Sequence, residues 1–184
     1  AGFIEGRYIG DVIRNTMDIM QHAQEEKIHA MILFLDLESA FDRYSHLCIK
    51  YALKMFNFGP QFQKWISTLL AENFSNVIMS GHLSKTIRVQ RSARQGDPIA
   101  PYLFVLGLEL LALRIRHDIR IRGYTCRERE QKISLLADDV TLYLKGDRDV
   151  IEESLRTLTG ILQDFERISG LRASIEKTKA MWIG

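Results

Sequence analysis

Two cysteines in 184 residues, Cys48 and Cys126, are too few for a disulfide framework, and neither has a partner at metal-ligating spacing. A zinc-stapled fold is thereby set aside, and both thiols are expected to be reduced. No apolar run approaches the length of a membrane span, and Ala1-Gly2-Phe3-Ile4 has no signal-peptide organisation, so no membrane partner is expected. Excess charge is scarce as well: a formal net charge of +2 gives no strong overall field for gathering a polyanion. There is no internal repeat or low-complexity linker, which leaves one substantial core, or one core with a smaller lobe. An initiator methionine is lacking, and the chain stops inside the apolar segment Met181-Trp182-Ile183-Gly184, as expected of a piece of a longer protein.

What the chain does have is acid where acid is hard to place. Asp138 and Asp139 interrupt the strand-forming run Ile133-Ser134-Leu135-Leu136-Ala137-Asp138-Asp139-Val140-Thr141-Leu142-Tyr143-Leu144. Burying either carboxylate without a cation would be unfavourable, so the pair asks for a metal. Far upstream, Met31-Ile32-Leu33-Phe34-Leu35 runs straight into Asp36. If these two strand ends meet, their carboxylates form a hard oxygen site of the kind Mg²⁺ prefers, and the chemistry is phosphoryl transfer. Arg88, Arg91 and Arg94 cluster in sequence, as do Arg114, Arg116, Arg120 and Arg122. Each alone reads as a solvated surface residue; together they allow a groove for a phosphate backbone.

The periodicity predicts a helix over Gly10 to Lys27, then a buried strand from Ala30 to Leu35 ended by Asp36. Helices are expected at Ser45 to Phe56 and Pro60 to Glu72, divided by Asn57-Phe58-Gly59-Pro60. Asn76 to Met79 and Lys85 to Val89 alternate as a hairpin around Ser80-Gly81-His82, and a deep helix is expected from Pro101 to His117. Ile133 to Leu136 and Val140 to Leu144 read as hairpin arms with Ala137-Asp138-Asp139 at the tip. Asp149 and Glu152 form a capping-box pattern for a helix striped by Ile151, Leu155, Leu158, Leu162, Phe165 and Ile168, which Ser169-Gly170 stops. Lys179 to Ile183 resembles a last strand. The fold class is α+β or α/β, a sheet covered by helices.

At these residues the chain resembles the reverse transcriptase domain of non-LTR (LINE-type) retrotransposons, with group II intron reverse transcriptases as more distant relatives. Gly2-Phe3-Ile4-Glu5-Gly6-Arg7 is similar to the fingers block, and Phe34-Leu35-Asp36-Leu37-Glu38-Ser39-Ala40-Phe41-Asp42 to palm motif A. Arg94-Gln95-Gly96-Asp97-Pro98-Ile99-Ala100-Pro101 matches motif B, Leu136-Ala137-Asp138-Asp139 motif C, and Gly170-Leu171 to Lys177-Thr178 motif D. A lone acidic pair is common on loops; four blocks in order are specific. The resemblance implies an α+β right-hand polymerase palm, an antiparallel sheet backed by helices. In that reading residues 1–29 are part of the fingers, residues 30–184 are mainly palm with a finger-like insertion around 60–95, and the thumb is absent.

The same resemblance implies RNA-directed DNA synthesis. Two Mg²⁺ ions, with Mn²⁺ a possible substitute, would be held by Asp36, Asp138 and the carbonyl of Leu37, with Asp139 as a supporting acid. Phe41 corresponds to the aromatic gate beneath the incoming sugar, against the alternative of a core phenylalanine. Gln95 and Gly96 would face the incoming nucleotide, Arg7 would contact phosphate or template, and Lys177 would protonate the pyrophosphate or hold its charge, or else is a surface lysine. Leu136 would lie at the primer terminus, or else faces inward from its strand. Asp42 reads as an N-cap or turn acid. The implied partners are an RNA template, a DNA primer, deoxynucleoside triphosphates and other domains of a longer retrotransposon polyprotein. Leu136 stands where the family usually has an aromatic residue, Ala100 where it often has serine and Ser174 where it often has asparagine. Two readings stay open beside the polymerase: a catalytically decayed or domesticated palm that binds nucleic acid or protein, and another palm-type enzyme such as a nucleotide cyclase.

Overall fold

In the computed structural model, residues 4–6, 8–38, 40–71, 73–92, 96–126 and 128–184 are described, with only the backbone of Ala40 and Phe41. A four-stranded antiparallel sheet in the order β10-β1-β9-β8 organises the chain. Its strands are β1 (Ala30–Glu38), β8 (Ile133–Leu136), β9 (Asp139–Lys145) and β10 (Arg172–Ile183). The helices are α1 (Ile9–Glu25), the short α2 (Ala40–Arg43), α3 (His46–Met55), α4 (Pro60–Leu70), α5 (Ala100–His117) and α6 (Arg148–Ser169). Four two-residue strands, β2 (Phe74–Ser75), β3 (Ile78–Met79), β4 (His82–Leu83) and β5 (Ile87–Arg88), lie between α4 and α5; β6 (Tyr124–Cys126) and β7 (Arg129–Gln131) form a small hairpin.

The period-two alternation of a strand explains how β1 serves two cores at once. Met31, Leu33, Leu35 and Leu37 enter the larger core with residues of α3, α5 and α6. Ala30 and Ile32 point the other way and pack with Ile19 and Ala23 of α1, Tyr124, Tyr143 and Ile183. The helix α1 therefore covers one end of that second face. Phe34 and Asp36 follow in the same alternation, towards the end that α1 leaves open.

Most elements lie where the pattern puts them, and the departures have local causes. β1 does not stop at Asp36: Leu37 and Glu38 remain paired with Ala173 and Arg172, because a strand held by a neighbour keeps its ladder through a polar residue. Asp149 does not cap α6. Asp147 occupies the N-cap without a side-chain cap bond, Asp149 sits in the first turn, and Glu152 pairs with Arg148 and Arg156 instead. The ribbon after α4 breaks into two short ladders because the Asn76 amide donates to the Ser84 carbonyl and Thr86 hydroxyl in mid-strand, and His82 joins a strand rather than the turn. Asp139 belongs to β9, opposite Leu136, which leaves Ala137-Asp138 as a two-residue tip. The last strand starts at Arg172, seven residues earlier than Lys179. The β6–β7 hairpin has no apolar alternation to announce it.

One helix contact is set by an absent side chain. Gly107 of α5 lies against Tyr44, and a Cβ there would be driven into the Tyr44 hydroxyl. Tyr44 is fully buried, stacks edge-on against Phe104 with centroids 5.9 Å apart, and its hydroxyl has no hydrogen-bond partner of ordinary geometry. Burial pushes the Tyr44 hydroxyl pKa far up, with the neighbouring Cys48 thiol adding to the shift. We expect Gly107→Ala to destabilise the fold by about 2 kcal/mol or more through overpacking. Tyr44→Phe, which removes an unsatisfied hydroxyl, should be neutral or stabilising and should recover part of the loss when combined with Gly107→Ala. Denaturant melts of the three variants check this; a fully tolerated Gly107→Ala would show that the contact is slack.

Candidate active site

Three carboxylates converge at the open end of the sheet. Leu35 of β1 pairs with Val140 of β9, and continuing that register by one residue sets Asp36 beside Asp139. Asp138 is the second residue of the β8–β9 turn. The turn is tight. Ala137 takes a left-handed φ of +54° while Asp138 does not, as in the primed turns that match strand twist, and a non-glycine residue there carries strain. The strain puts Asp138 in the bend and Asp139 at the first position of β9.

The β10 side is built differently. Phe34 pairs with Lys179 and Asp36 with Ser174, so residues 175–178 of β10 stand against the single residue Leu35. This excursion is closed by Thr178, whose hydroxyl donates to the Ser174 carbonyl at 2.6 Å, and by the Lys177 N–H donating to Ser174 Oγ at 3.4 Å. It throws Ile175 into solvent and carries the exposed Lys177 side chain toward Asp36 at the mouth of the cleft. Lys177 Nζ lies 3.7 Å from Asp36 Oδ2, near enough for an ion pair and too far for a hydrogen bond. Asp36 Oδ2 is a buried atom with no hydrogen-bond partner.

A cleft of about 450 Å³ opens onto these groups between α1 and the sheet. Phe34, Asp36, Leu136, Asp139, Lys177 and Lys179 contribute to its sheet wall, and Ile9, Val12, Ile13, Thr16 and Met17 form its α1 wall. Desolvation raises the Asp139 pKa, and the nearby negative charges of Asp138 and Asp36 raise it further. Among the described residues no three His, Cys, Asp or Glu side chains close into a metal cage. An oxygen-only donor set with a buried, unsatisfied carboxylate oxygen nonetheless fits a hard cation that keeps water or phosphate among its ligands.

The structure thus brings together Asp36, Asp139, Leu136 and Lys177, with Asp138 at the adjoining tip. The Leu37 side chain is in the core. Gly96 has a φ of +86°, and a Cβ there would meet nothing within 4 Å, so its backbone conformation is what favours glycine. Asp97 accepts from the Ile99 N–H at 3.1 Å in the turn that precedes α5. Asp42 falls in the first turn of α2. Arg7, the Phe41 side chain, Arg94 and Gln95 lie outside the described residues. Arg116 and Arg120 are engaged by Glu109 and Asp118. Two contributors escaped the sequence reading: Lys179, legible as the period-two neighbour of Lys177, and the α1 wall, whose residues carry no chemical signature.

Paired acids at the open end of an antiparallel sheet backed by helices define the palm of a right-handed nucleic-acid polymerase. The chain belongs to the reverse transcriptase (RNA-dependent DNA polymerase) family, whose model matches residues 2–182. Its relatives are proteins of non-LTR retrotransposons. It is 30% identical over 141 residues to the uncharacterized 149 kDa protein of transposon TX1 from Xenopus laevis, covering 76% of this chain and 11% of that protein. It is 30% identical over 129 residues to the Pol polyprotein of the type-1 retrotransposable element R2 from Popillia japonica, covering 68% of this chain and 20% of the relative. The chain therefore spans a small part of the proteins it matches. The fold is shared with telomerase from Candida tropicalis truncated from its C-terminal domain, with a TM-score of 0.68 at 11% identity over 96% of this chain and 35% of that one. Reverse transcriptases as a family use divalent metal ions.

The site's electrostatics make a stability prediction. A carboxyl whose folded pKa lies above its unfolded value binds its proton more tightly when folded, so stability falls as pH rises from about 3.8 through the raised value. Asp139→Asn should therefore be more stable than the parent at neutral pH in metal-free buffer. The gain should be at most about 1 kcal/mol because the group is exposed, and it should vanish as pH falls below 4. Urea titrations of both proteins across that range decide it; a neutral-pH loss of stability would show Asp139 to be held by attraction instead.

Proposed function

We propose that this chain is the palm, with an adjoining part of the fingers, of a reverse transcriptase that joins deoxynucleotides to a primer 3′-hydroxyl on an RNA template. Residues 1–29 belong to the fingers in this reading, and residues 30–184 are mainly palm with a finger-like insertion around 60–95. The observation that carries it is the buried Oδ2 of Asp36, which accepts no hydrogen bond and faces only the Lys177 ammonium at 3.7 Å, in register with Asp139 at the end of the sheet. Asp36 and Asp138 would hold two Mg²⁺ ions, with Mn²⁺ as a substitute, and the Leu37 carbonyl would add a ligand. Such ions, when bound, favour ionisation of the attacking hydroxyl and neutralise charge at the leaving pyrophosphate.

The chain's own groups do the positioning. Asp139 adds negative charge that draws cations to the site. Lys177 would hold or protonate the pyrophosphate, a reading supported by its ammonium lying 3.7 Å from Asp36. Gln95 and Gly96 face the incoming nucleotide, Arg7 contacts its phosphates or the template, and Leu136 borders the primer terminus across the cleft. A longer polyprotein supplies the remaining domains.

Asp36→Asn and Asp138→Asn, made in the longer protein, should each cut primer extension by roughly a thousandfold, about 4 kcal/mol of transition-state stabilisation, with melting temperatures maintained. Extension at the parent rate in either variant would remove that residue from the site. An inactive parent that still bound primer–template would favour the decayed palm, for which Leu136 is the sequence support.

Phe41 is proposed to lie under the incoming sugar and exclude a 2′-hydroxyl. Phe41→Val should then raise ribonucleotide incorporation by about tenfold or more, roughly 1.4 kcal/mol, with little change for deoxynucleotides. Single-nucleotide incorporation with both substrates measures this, and unchanged discrimination would return Phe41 to a packing role.

A further inference from the structure

The segment between α4 and α5 rises from the body as a narrow two-stranded ribbon. The Val89 N–H donates to the Asn73 carbonyl at 2.7 Å across its base, and every residue of β2, β3, β4 and β5 is exposed. Ser80 and Gly81, with φ of +50° and +81°, make a tight primed turn at the tip. Around that tip Ile78, Met79 and Leu83 are 71%, 75% and 70% exposed, and Phe74, Val77 and Ile87 are exposed below them. Apolar side chains gathered on a projecting ribbon mark a contact surface.

Charge identifies the partner. From Asn73 to Gly96 there is no Asp or Glu, whereas Lys85, Arg88 and Arg91 all fall within the stretch. None of these three cations forms a salt bridge among the described residues, unlike Arg116 and Arg120. A purely apolar protein surface would satisfy the tip but not the cations. A nucleic-acid strand offers phosphates to the cations and sugar and base faces to the apolar groups, and a two-stranded ribbon is narrow enough to lie in a groove. The ribbon is also well placed: Arg91 bridges to Ser45 soon after β1 and α2, and the chain runs on through Gly96 into α5.

We infer that the Phe74–Arg88 ribbon docks nucleic acid, with Lys85, Arg88 and Arg91 on phosphates and Ile78, Met79 and Leu83 against sugars and bases. The inference deepens the proposed function and rests on it.

Binding of a fluorescent DNA primer annealed to an RNA template, measured by anisotropy in EDTA over a salt series, separates the two readings. Lys85→Gln/Arg88→Gln should weaken binding and reduce the slope of log affinity against log salt by roughly 0.7–0.9 per lost phosphate contact. Ile78→Ser/Met79→Ser should lower affinity about tenfold with the slope unchanged. Circular dichroism melts should match the parent, since all four side chains are exposed. Parent-like affinity and slope in both double variants would overturn the ribbon's role while leaving the polymerase reading intact. Loss of self-association in the tip variant with nucleic-acid binding unaltered would instead assign the ribbon to a second copy of the chain. Failure of the parent to bind primer–template at all would overturn both.

Discussion

Holding three carboxylates together at the end of one sheet is the constraint on which the rest of the structure depends. Asp36, Asp138 and Asp139 repel one another, and the pKa of Asp139 is raised by desolvation first and by its two acidic neighbours in addition. No local preference of the chain would bring them together, since a hundred residues separate the first acid from the other two. The attraction has to come from elsewhere, and it comes from apolar burial behind them. Met31, Leu33 and Leu35 on β1 and Val140, Leu142 and Leu144 on β9 enter one core, so the two acid-bearing strands are held in register by burial of their other face.

The same logic accounts for local irregularities around the acids. A regular β10 would place a side chain directly across from Leu35; the four-residue excursion instead brings the long, flexible Lys177 to Asp36. Strain at Ala137 is tolerated because the β8–β9 ladder on either side over-determines the turn. These features weaken the sheet locally and are found where the acids are, as expected of a site whose chemistry conflicts with the stability of its own fold.

How much of this was legible in the sequence depended on whether the signal was local. Helices α1, α3, α4, α5 and α6 follow from periodicity, Pro60 and Gly170, because a helix is specified by residues close in sequence. The acidic motif pointed to the right pair of strands. The end of β1 was misjudged because Asp36 looks like a stop when β1 is read alone; only pairing with Arg172 and Ala173 shows why the strand continues. The seven extra residues at the start of β10, three of them paired with β1 and four in the excursion, were hidden for the same reason, behind the mostly polar run Arg172 to Thr178. The N-cap position of α6 falls on Asp147 rather than Asp149, a two-residue error of the kind caused by several acids competing for one helix start. The cleft wall on α1 could not be read at all, since Ile9, Ile13 and Met17 differ from core residues only in what fails to cover them.

That incomplete cover is itself a consequence of how the two faces of the sheet are divided. One face is sealed by α3, α5 and α6, which makes the strands rigid; the other is covered by α1 only around Ala30, Ile32 and Tyr143. Sealing the second face entirely would bury the carboxylates without compensation, and leaving it bare would expose Ile32 and Tyr143 along with them. Among the described residues, α1 with Tyr124 of β6 beside it lies over part of the face, which satisfies both demands. The backbone arrangement needs little more than that alternation of apolar and polar positions. This is consistent with a shared fold at 11% identity with telomerase, because many different side chains can fill the sealed face while the open end is restricted by its charge.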